Sequence, residues 1–545
     1  MSRVIAVVLA IIIVFSFAGC GSTGDQTTQS QSGQTGLSSS EPEAPLVYEI
    51  LANVGPEDGN WEKMWFFDYV KEKFNIQFTI NQVSSDGFEE KKNLAFATNT
   101  LPDVFVGSSL TANELITYGS QGQIIPLEQY FSDDLMPNFM ADMKENPNVY
   151  KAHFFPDGHA YAVWGFTSNL RDYALSKFWV NTKWAQNLTG NIPATVDEFY
   201  AYLKAVKEKD ANGNGDVNDE IPFGGIYNSM YDGFYDGLAP ILTAFGFTDK
   251  RVQVIDGKAW LVPTHPNYKE FLKYMNKLYT EKLIDPEYFS QSEDQRVAKI
   301  SQERVACFTD WAQWLYMKEE GTWQQWQSID PLTSSFNATK MWPSTDCTLT
   351  YIFAVTKNAR NVEKLMQFVD WLYTDQGNDA HWKGPEYGTW SEHPDWGWEY
   401  KGDDDKGARI IEDHWPSDKY KTINAFYHDL ITPWAIPTGS LTKKASTQSV
   451  PLTEKNLTEN VETHYVPYYS VGFPQTARYK QEEADKLGLL KTDLNSYIDQ
   501  MVSRMIIGEI SIDSEFDKFV QECIDRGGDQ YMEIYQSVYD RWKSH

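Results

Sequence analysis

The sequence predicts an α/β protein built as two lobes, and three observations carry that prediction. The chain has 545 residues, whereas a single hydrophobic core stops growing at about 250 to 300 residues. Residues 46–106 alternate strand-like and helix-like runs, and strand, helix, strand, helix, strand implies right-handed crossovers and a mostly parallel sheet. The chain also holds 19 Trp, 31 Tyr and 30 Phe, more than packing alone asks for. Part of that aromatic surface is expected to bind a ligand.

The amino terminus precedes the folded part. Val4 to Ala18 is one apolar run behind Arg3, the length of a signal-peptide core and short of the about 20 residues that span a bilayer. It ends in Phe17-Ala18-Gly19-Cys20. Small residues followed by a cysteine resemble a bacterial lipobox, which implies that residues 1–20 are a lipoprotein signal peptide with Cys20 as the lipidated residue; a plain signal peptide with an incidental cysteine is the alternative. Residues 21–45 are rich in Ser, Gly, Thr and Gln; such a composition buries no core and makes a flexible tether. The product is expected outside the cell, anchored to the membrane. Of the other cysteines, Cys307 and Cys523 lie in apolar runs and are expected as buried thiols. Cys307–Cys347 is the one disulfide considered, since an oxidising exterior permits it.

Leu46 to Val54 reads as the first strand. Trp61, Met64, Phe67, Val70 and Phe74 then recur at a helical period, and Ile76 to Ile80 alternates as a strand does. A helix over Phe88 to Thr98 leads to a short strand at Asp103 to Val106. In such sheets ligands sit beyond the carboxyl ends of the strands, which marks Asn60, Trp61 and Ser108. Further on, Trp164 ends a strand-like run, and Trp179 lies in the apolar piece Phe178 to Asn181. Arg304 to Phe308 reads as a buried strand with Asp310 and Trp311 just beyond it, and Trp311 is the strongest single candidate for a ligand contact. A strand over Leu349 to Val355 and a helix over Asn361 to Tyr373 precede a loop carrying Trp382, Glu386 and Trp390. The tail, Leu489 to Trp542, is helical and broken at Gly527-Gly528.

Thr195 and Glu198 make a capping box. The helix they open runs into Asp210, Asn212, Asn214, Asp216 and Asn218, with Gly215 sixth, followed by Asp219, Glu220, Ile221 and Pro222. Oxygen side chains at every second position with a glycine at the sixth are what a hard cation needs, and calcium is the first choice. Ile221-Pro222 stands where an EF-hand would place its closing Glu, so Asp219 or Glu220 must close the shell. A structural ion is expected rather than a sensor.

The formal charge of −29 disfavours nucleic acid, whose phosphates call for basic stripes. A secreted glycoside hydrolase, which needs two carboxylates roughly 5 to 10 Å apart across a cleft, and a binder of peptides or polyamines are the alternatives to a sugar binder.

Several pieces in order carry a resemblance: Phe17 to Cys20, Leu101-Pro102-Asp103, Gly122 to Leu127, Asp157 to Tyr161, Trp179 to Asn181, Pro193 to Phe199, Asp210 to Pro222, and Tyr535 to Arg541. Together they resemble the extracellular solute-binding lipoproteins of carbohydrate-type ABC importers, including aldouronate and alginate-oligosaccharide binding proteins. That resemblance implies a periplasmic-binding-protein-like fold of type II, each lobe a mostly parallel sheet flanked by helices, hinged by crossing strands. It implies one lobe from 46–165 plus 347–415 and another from 166–346 plus 416–545. It also implies an oligosaccharide ligand, ABC permease partners, a monomer on the outer face of a Gram-positive membrane, and calcium held by the loop above.

Overall fold

The computed structural model of the chain describes residues 44–55, 58–167, 170–174, 176–227, 237–317, 321–403, 409–420, 423–439, 446–448 and 451–544. The expected signal peptide, Cys20 and the tether up to residue 43 lie outside them. The described elements all belong to residues 45–545, a unit separate from residues 1–44.

The described strands up to residue 355 are, in chain order, β1 (Leu46–Val54), β2 (Ile76–Ser84), β3 (Val104–Gly107), β4 (Val163–Thr167), β5 (Lys177–Asn181), β6 (Val252–Ile255), β7 (Lys258–Leu261), β8 (Cys307–Asp310), β9 (Trp326–Ser328), β10 (Trp342–Ser344) and β11 (Thr348–Val355). The first sheet runs β2-β1-β3-β11-β4. β1 pairs in parallel with β2 from Leu46↔Ile76 to Val54↔Ser84 and with β3 at Ile50↔Val104. The crossover from β1 differs from the continuous helix expected over Trp61 to Phe74. It is a 3₁₀ turn, Trp61–Lys63, and a helix, Trp65–Phe74, divided at Met64, whose ψ of 140° is extended. Asn75 and Asn99, both left-handed, end the first two helices, Trp65–Phe74 and Ser85–Thr98, as short side chains that bond locally permit. Alternate residues of the sheet feed two cores: Ile50, Val104 and Val106 one face, Leu51, Phe105 and Ile352 the other.

The second sheet is β8-β5-β9 with both pairs antiparallel. Beyond β8 the chain around Ile221 and Phe223 runs parallel to it, through the bridge Ile221↔Val305, and Phe223 in turn bridges Ile284 in parallel. The order Ile284, Phe223, β8, β5 therefore repeats β2, β1, β3, β11. In each sheet three parallel segments are followed by one antiparallel strand, and that strand is the first after a crossing from the other sheet. The physical reason is direction. A strand of a βαβ unit leaves the sheet toward the crossing side, and a strand arriving from the other lobe enters there. The largest core lies on this second sheet, from Ala174 to Tyr531.

The chain passes from β4 to β5 through the turn Leu170–Tyr173 and back from β10 to β11. β10 pairs in parallel with Tyr469–Val471, and Thr345 N–H donates to Tyr173 C=O at 3.2 Å, so the crossing segments are tied together. Phe426, Tyr427, Ile431 and Ile436 pack in the first-sheet core, and Leu457 and Val461 in the second. Cys307, Cys347 and Cys523 are free and buried, Cys307 in the second-sheet core and Cys347 in the first, which excludes the disulfide considered from sequence. The tail forms helices Gln481–Ile506, Ile512–Cys523 and Asp529–Ser544, with Gly527 at φ 89° breaking it where the glycine pair predicts.

Candidate functional site

The carboxyl ends of β1, β3 and β4 and the start of β11 lie on one edge of the first sheet, since β11 is antiparallel to β3 and β4. β4 leads from this edge through the crossing to Lys177, the first residue of β5, which is paired with Asp310, the last of β8. The edge of the second sheet that faces the crossing is therefore the one that carries Trp311.

At the first edge, half-buried rings gather. Tyr351 and Trp382 lie with centroids 6.4 Å apart and nearly parallel, and Trp434 is 6.1 Å from Trp382. Trp382 Nε1–H donates to Thr438 Oγ1 at 3.0 Å and Trp434 Nε1–H to the Trp382 carbonyl at 3.3 Å, so hydrogen bonds fix both indoles. Trp434 has a φ of 44°, a left-handed conformation uncommon for a large side chain and held only where surroundings enforce it. His428 stands edge-on to Trp434 at 4.8 Å, with Nδ1 2.9 Å from Asp58 Oδ1. Gly165 on β4 admits this arrangement, because a Cβ there would run into Thr350 Oγ1 and the backbone of Pro437 and Thr438. Ser108 is exposed directly after β3. Asn60 is exposed at the same end and caps its turn by accepting from Glu62 N–H at 3.0 Å.

At the second edge, Trp311 is half-buried, with Lys177 Nζ 3.2 Å from its ring centroid and the Arg171 guanidinium at 6.0 Å. Behind it lies Asp310, fully buried, accepting the Trp311 N–H at 2.6 Å and paired with Arg296 at 2.8 Å. Burial pushes Asp310 up to about 6 against the opposing pull of Arg296. Asp310 is thus a positioning residue for the Trp311 turn rather than a surface contact.

Other expected contacts are also placed elsewhere. Trp61 and Trp179 are core residues, 1 % and 0 % exposed, packed in the first and second cores respectively. Trp164 packs against Arg478 at 5.2 Å, and its neighbour Gly165 faces the Thr438 loop, because successive strand residues point to opposite faces. Trp390 packs on His393 and Trp396 beside the first core. Glu386 is exposed and bridges Trp398. Tyr351, His428 and Trp434 were not singled out from sequence. The signal for Trp434 was present in Pro433-Trp434-Ala435-Ile436-Pro437, a tryptophan between two prolines that forbid helix and sheet around it.

The oxygen-rich loop lies at the other end of β8. The helix Val196–Glu208 opens with the predicted capping box. Asp210 Oδ1 accepts from Gly213 and Asn214 N–H at 2.7 and 3.1 Å, and Oδ2 from Gly215 N–H at 2.8 Å. Asn214 Oδ1 accepts from Asp216 N–H and Asp216 Oδ1 from Asn218 N–H, at 2.7 and 3.0 Å, while Asp219 accepts from the amides of Asn212 and Asn214. Glu220, 8 % exposed, caps the loop by accepting from Ala211 N–H at 2.6 Å, and its Oε2 is buried with no hydrogen-bond partner. A buried carboxylate oxygen without a partner is costly, and a cation relieves that cost. The donor set and this orphan oxygen fit a hard ion. From Val305, which bridges Ile221, six residues of extended chain lead to Trp311, about 20 Å at about 3.3 Å per residue. The loop and the aromatic edge are separate sites.

The model of the family described as bacterial extracellular solute-binding protein matches residues 55–379. The chain is 25 % identical over 510 residues to the fructooligosaccharide ABC transporter substrate-binding protein FusA of Streptococcus pneumoniae serotype 4, covering 90 % of this chain and 89 % of that protein. Its fold is similar to that of a FusA EF-hand mutant from S. pneumoniae in complex with fructo-nystose, with a TM-score of 0.75, 22 % identity and coverage of 91 % and 99 %. It is also similar to alginate-binding protein AlgQ2 without calcium ion, with a TM-score of 0.68, 20 % identity and coverage of 91 % and 98 %.

Proposed function

The chain belongs to the bacterial extracellular solute-binding protein family, and on that premise we propose that it is the substrate-binding component of an ABC importer, holding an oligosaccharide between its two lobes. The observation that carries the ligand class is the set of half-buried rings at the two sheet edges that the crossing connects: Tyr351, Trp382 and Trp434 on the first sheet and Trp311 on the second. Sugar rings present apolar C–H faces that stack on indoles, and hydroxyls that need fixed polar partners. His428 and its partner Asp58 are polar groups beside the first set, and Asn60 and Ser108 are exposed at the same end of the sheet. The fructooligosaccharide specificity of FusA, at 25 % identity, supports the same ligand class. Ligand bridging the two edges stabilises the closed arrangement of the lobes, and that arrangement is what a permease recognises. Binding rather than catalysis fits the carboxylates near these edges. Asp58, Asp172 and Asp310 are already engaged by His428, Arg171 and Arg296.

Thermal melting with fructo-oligosaccharides and uronate-containing oligosaccharides tests the reading. A ligand that binds only the native state raises Tm, by an amount equivalent to about 2.7 kcal/mol at about 100 times its Kd. A response confined to peptides or polyamines refutes the sugar reading.

Asp210, Asn212, Asn214, Asp216, Asn218 and either Asp219 or Glu220 would hold calcium in the loop; the buried Glu220 oxygen favours Glu220. Bound there, the ion would neutralise the carboxylates of the loop. Chelation, or Glu220→Gln, is expected to lower Tm while leaving saccharide affinity within about twofold, because the loop is about 20 Å from Trp311. A large loss of affinity with unchanged Tm would instead put the ion in the cleft. Cys20 is the proposed lipid anchor on the outer face of the membrane, and Cys20→Ser should release the protein into the medium on cell fractionation.

A further inference from the structure

Against the strongly acidic balance of the chain, one cavity has charged groups that are mainly cations. Its volume is about 680 Å³, and Lys151, Arg478, Lys480 and Arg541 line it against a single carboxylate, Asp346. Its walls come from several parts of the fold. The segment Asn148–Gly158 of the first lobe supplies Tyr150, Phe154 and Phe155, and the end of the C-terminal helix supplies Val538 and Trp542. The connecting segment around Thr476 forms the rest.

The polar groups are firmly placed. Asp346 accepts from Gln475 N–H at 2.8 Å and from Thr476 Oγ1, and Trp542 Nε1–H donates to Thr476 Oγ1 at 2.9 Å. Arg478 donates through Nη2 and Nε to the Ala152 carbonyl at 2.7 and 2.9 Å, between the rings of Phe155 and Trp164. Arg541 is partly neutralised by Glu483, at 2.5 and 3.0 Å. Lys480 forms no ion pair among the described residues, and it and Lys151 are exposed at the rim. Four cations therefore meet two carboxylates, one of them behind Arg541, around a floor of aromatic rings.

We propose that this cavity is a binding site for an organic anion with a flat apolar body, the anionic group held by Lys151, Lys480 and Arg478 and the body against Phe154 and Trp542. The site is distinct from the saccharide cleft. Trp164 covers Arg478 from one face of β4, whereas Gly165 on the other face meets the Thr438 loop that holds Trp382. The inference does not depend on the saccharide reading.

The test is a fluorescence titration of the full chain with 8-anilinonaphthalene-1-sulfonate at fixed ionic strength. Lys151→Glu combined with Lys480→Glu is expected to weaken dye binding by about tenfold or more, since each reversal turns attraction into repulsion within a few ångströms. Reversing the exposed Lys71 and Lys204 changes the net charge equally and is expected to alter it by no more than about twofold, because distant exposed charges are screened. The uncharged analogue N-phenyl-1-naphthylamine should bind both reversal variants alike, and both should keep the parent Tm. Equal loss in the two variants means a field effect and overturns the proposal. So does dye binding that is unchanged at the cavity variant, or that is lost on Trp311→Ala, which would place the dye in the saccharide cleft.

Discussion

Arg296→Met destabilises the fold by about 3 to 5 kcal/mol, the cost of breaking a buried pair by removing one partner. Arg296 and Asp310 are 2 % and 0 % exposed and 2.8 Å apart, and the same guanidinium reaches Glu293 at 2.5 Å and the Thr309 carbonyl at 3.4 Å. Methionine fills much of the arginine volume, so the loss reads the stranded carboxylate rather than a cavity. The sign of its pH dependence follows from the same geometry. Burial already lifts Asp310 to about 6, and Arg296 is the largest of the influences that oppose that lift, ahead of the Trp311 N–H and the Tyr316 hydroxyl. Without the cation Asp310 rises further, takes a proton, and the native variant binds more protons than its unfolded state over a wider range. Its stability therefore falls as pH rises through that range. Urea melts at pH 5 and pH 8 should show the smaller loss at pH 5; an equal loss at both would mean that the carboxylate is not the strained group.

Trp311→Ala weakens saccharide binding by about 1 to 3 kcal/mol, roughly five- to 150-fold, the range for an aromatic anchor in a desolvated contact. Lys177 occupies one side of the ring at 3.2 Å, and the indole is only half-buried, so the exposed part is what a sugar meets. Asp310 fixes the turn through the Trp311 N–H, and the ring is pre-positioned before ligand arrives, which keeps ordering costs low. Calorimetric titration of the parent and the variant measures the change. A variant with unchanged affinity and lowered Tm would assign Trp311 to packing alone. Trp382→Ala is the matching substitution on the other sheet, and if both rings grip one ligand the loss in the double variant should differ from the sum of the two single losses by about 0.5 kcal/mol or more.

Local patterns made most elements legible. The alternation of Leu46 to Val54, the capping box at Thr195 and Glu198, the break at Gly527 and the oxygen spacing from Asp210 onward each state their own geometry, because each depends on neighbours within a few residues. The site was legible only in outline. A strand-end rule places Trp61 and Asp310 at the correct end of their strands, yet both turn inward. Asp310 is drawn in by Arg296, which sits on a different element, and Trp61 packs parallel to Phe67 within the first core. Conversely, Trp434 reaches the site from a loop far along the chain, held by a bond to the carbonyl of Trp382. Which face a residue turns to is set by partners distant in sequence, and no period or cap records that.

β11 lies between β3 and β4 at the heart of the first sheet, yet it begins at residue 348, after the whole of β5 to β10. A chain leaving the ribosome from its amino terminus therefore shows β3 with a bare edge and β4 without a ladder partner until the second sheet has been synthesised. Unpaired strand edges invite association with other chains. Nascent first-lobe segments must be kept apart during that interval, and a translation product truncated before residue 348 should be insoluble, however complete its second-lobe strands.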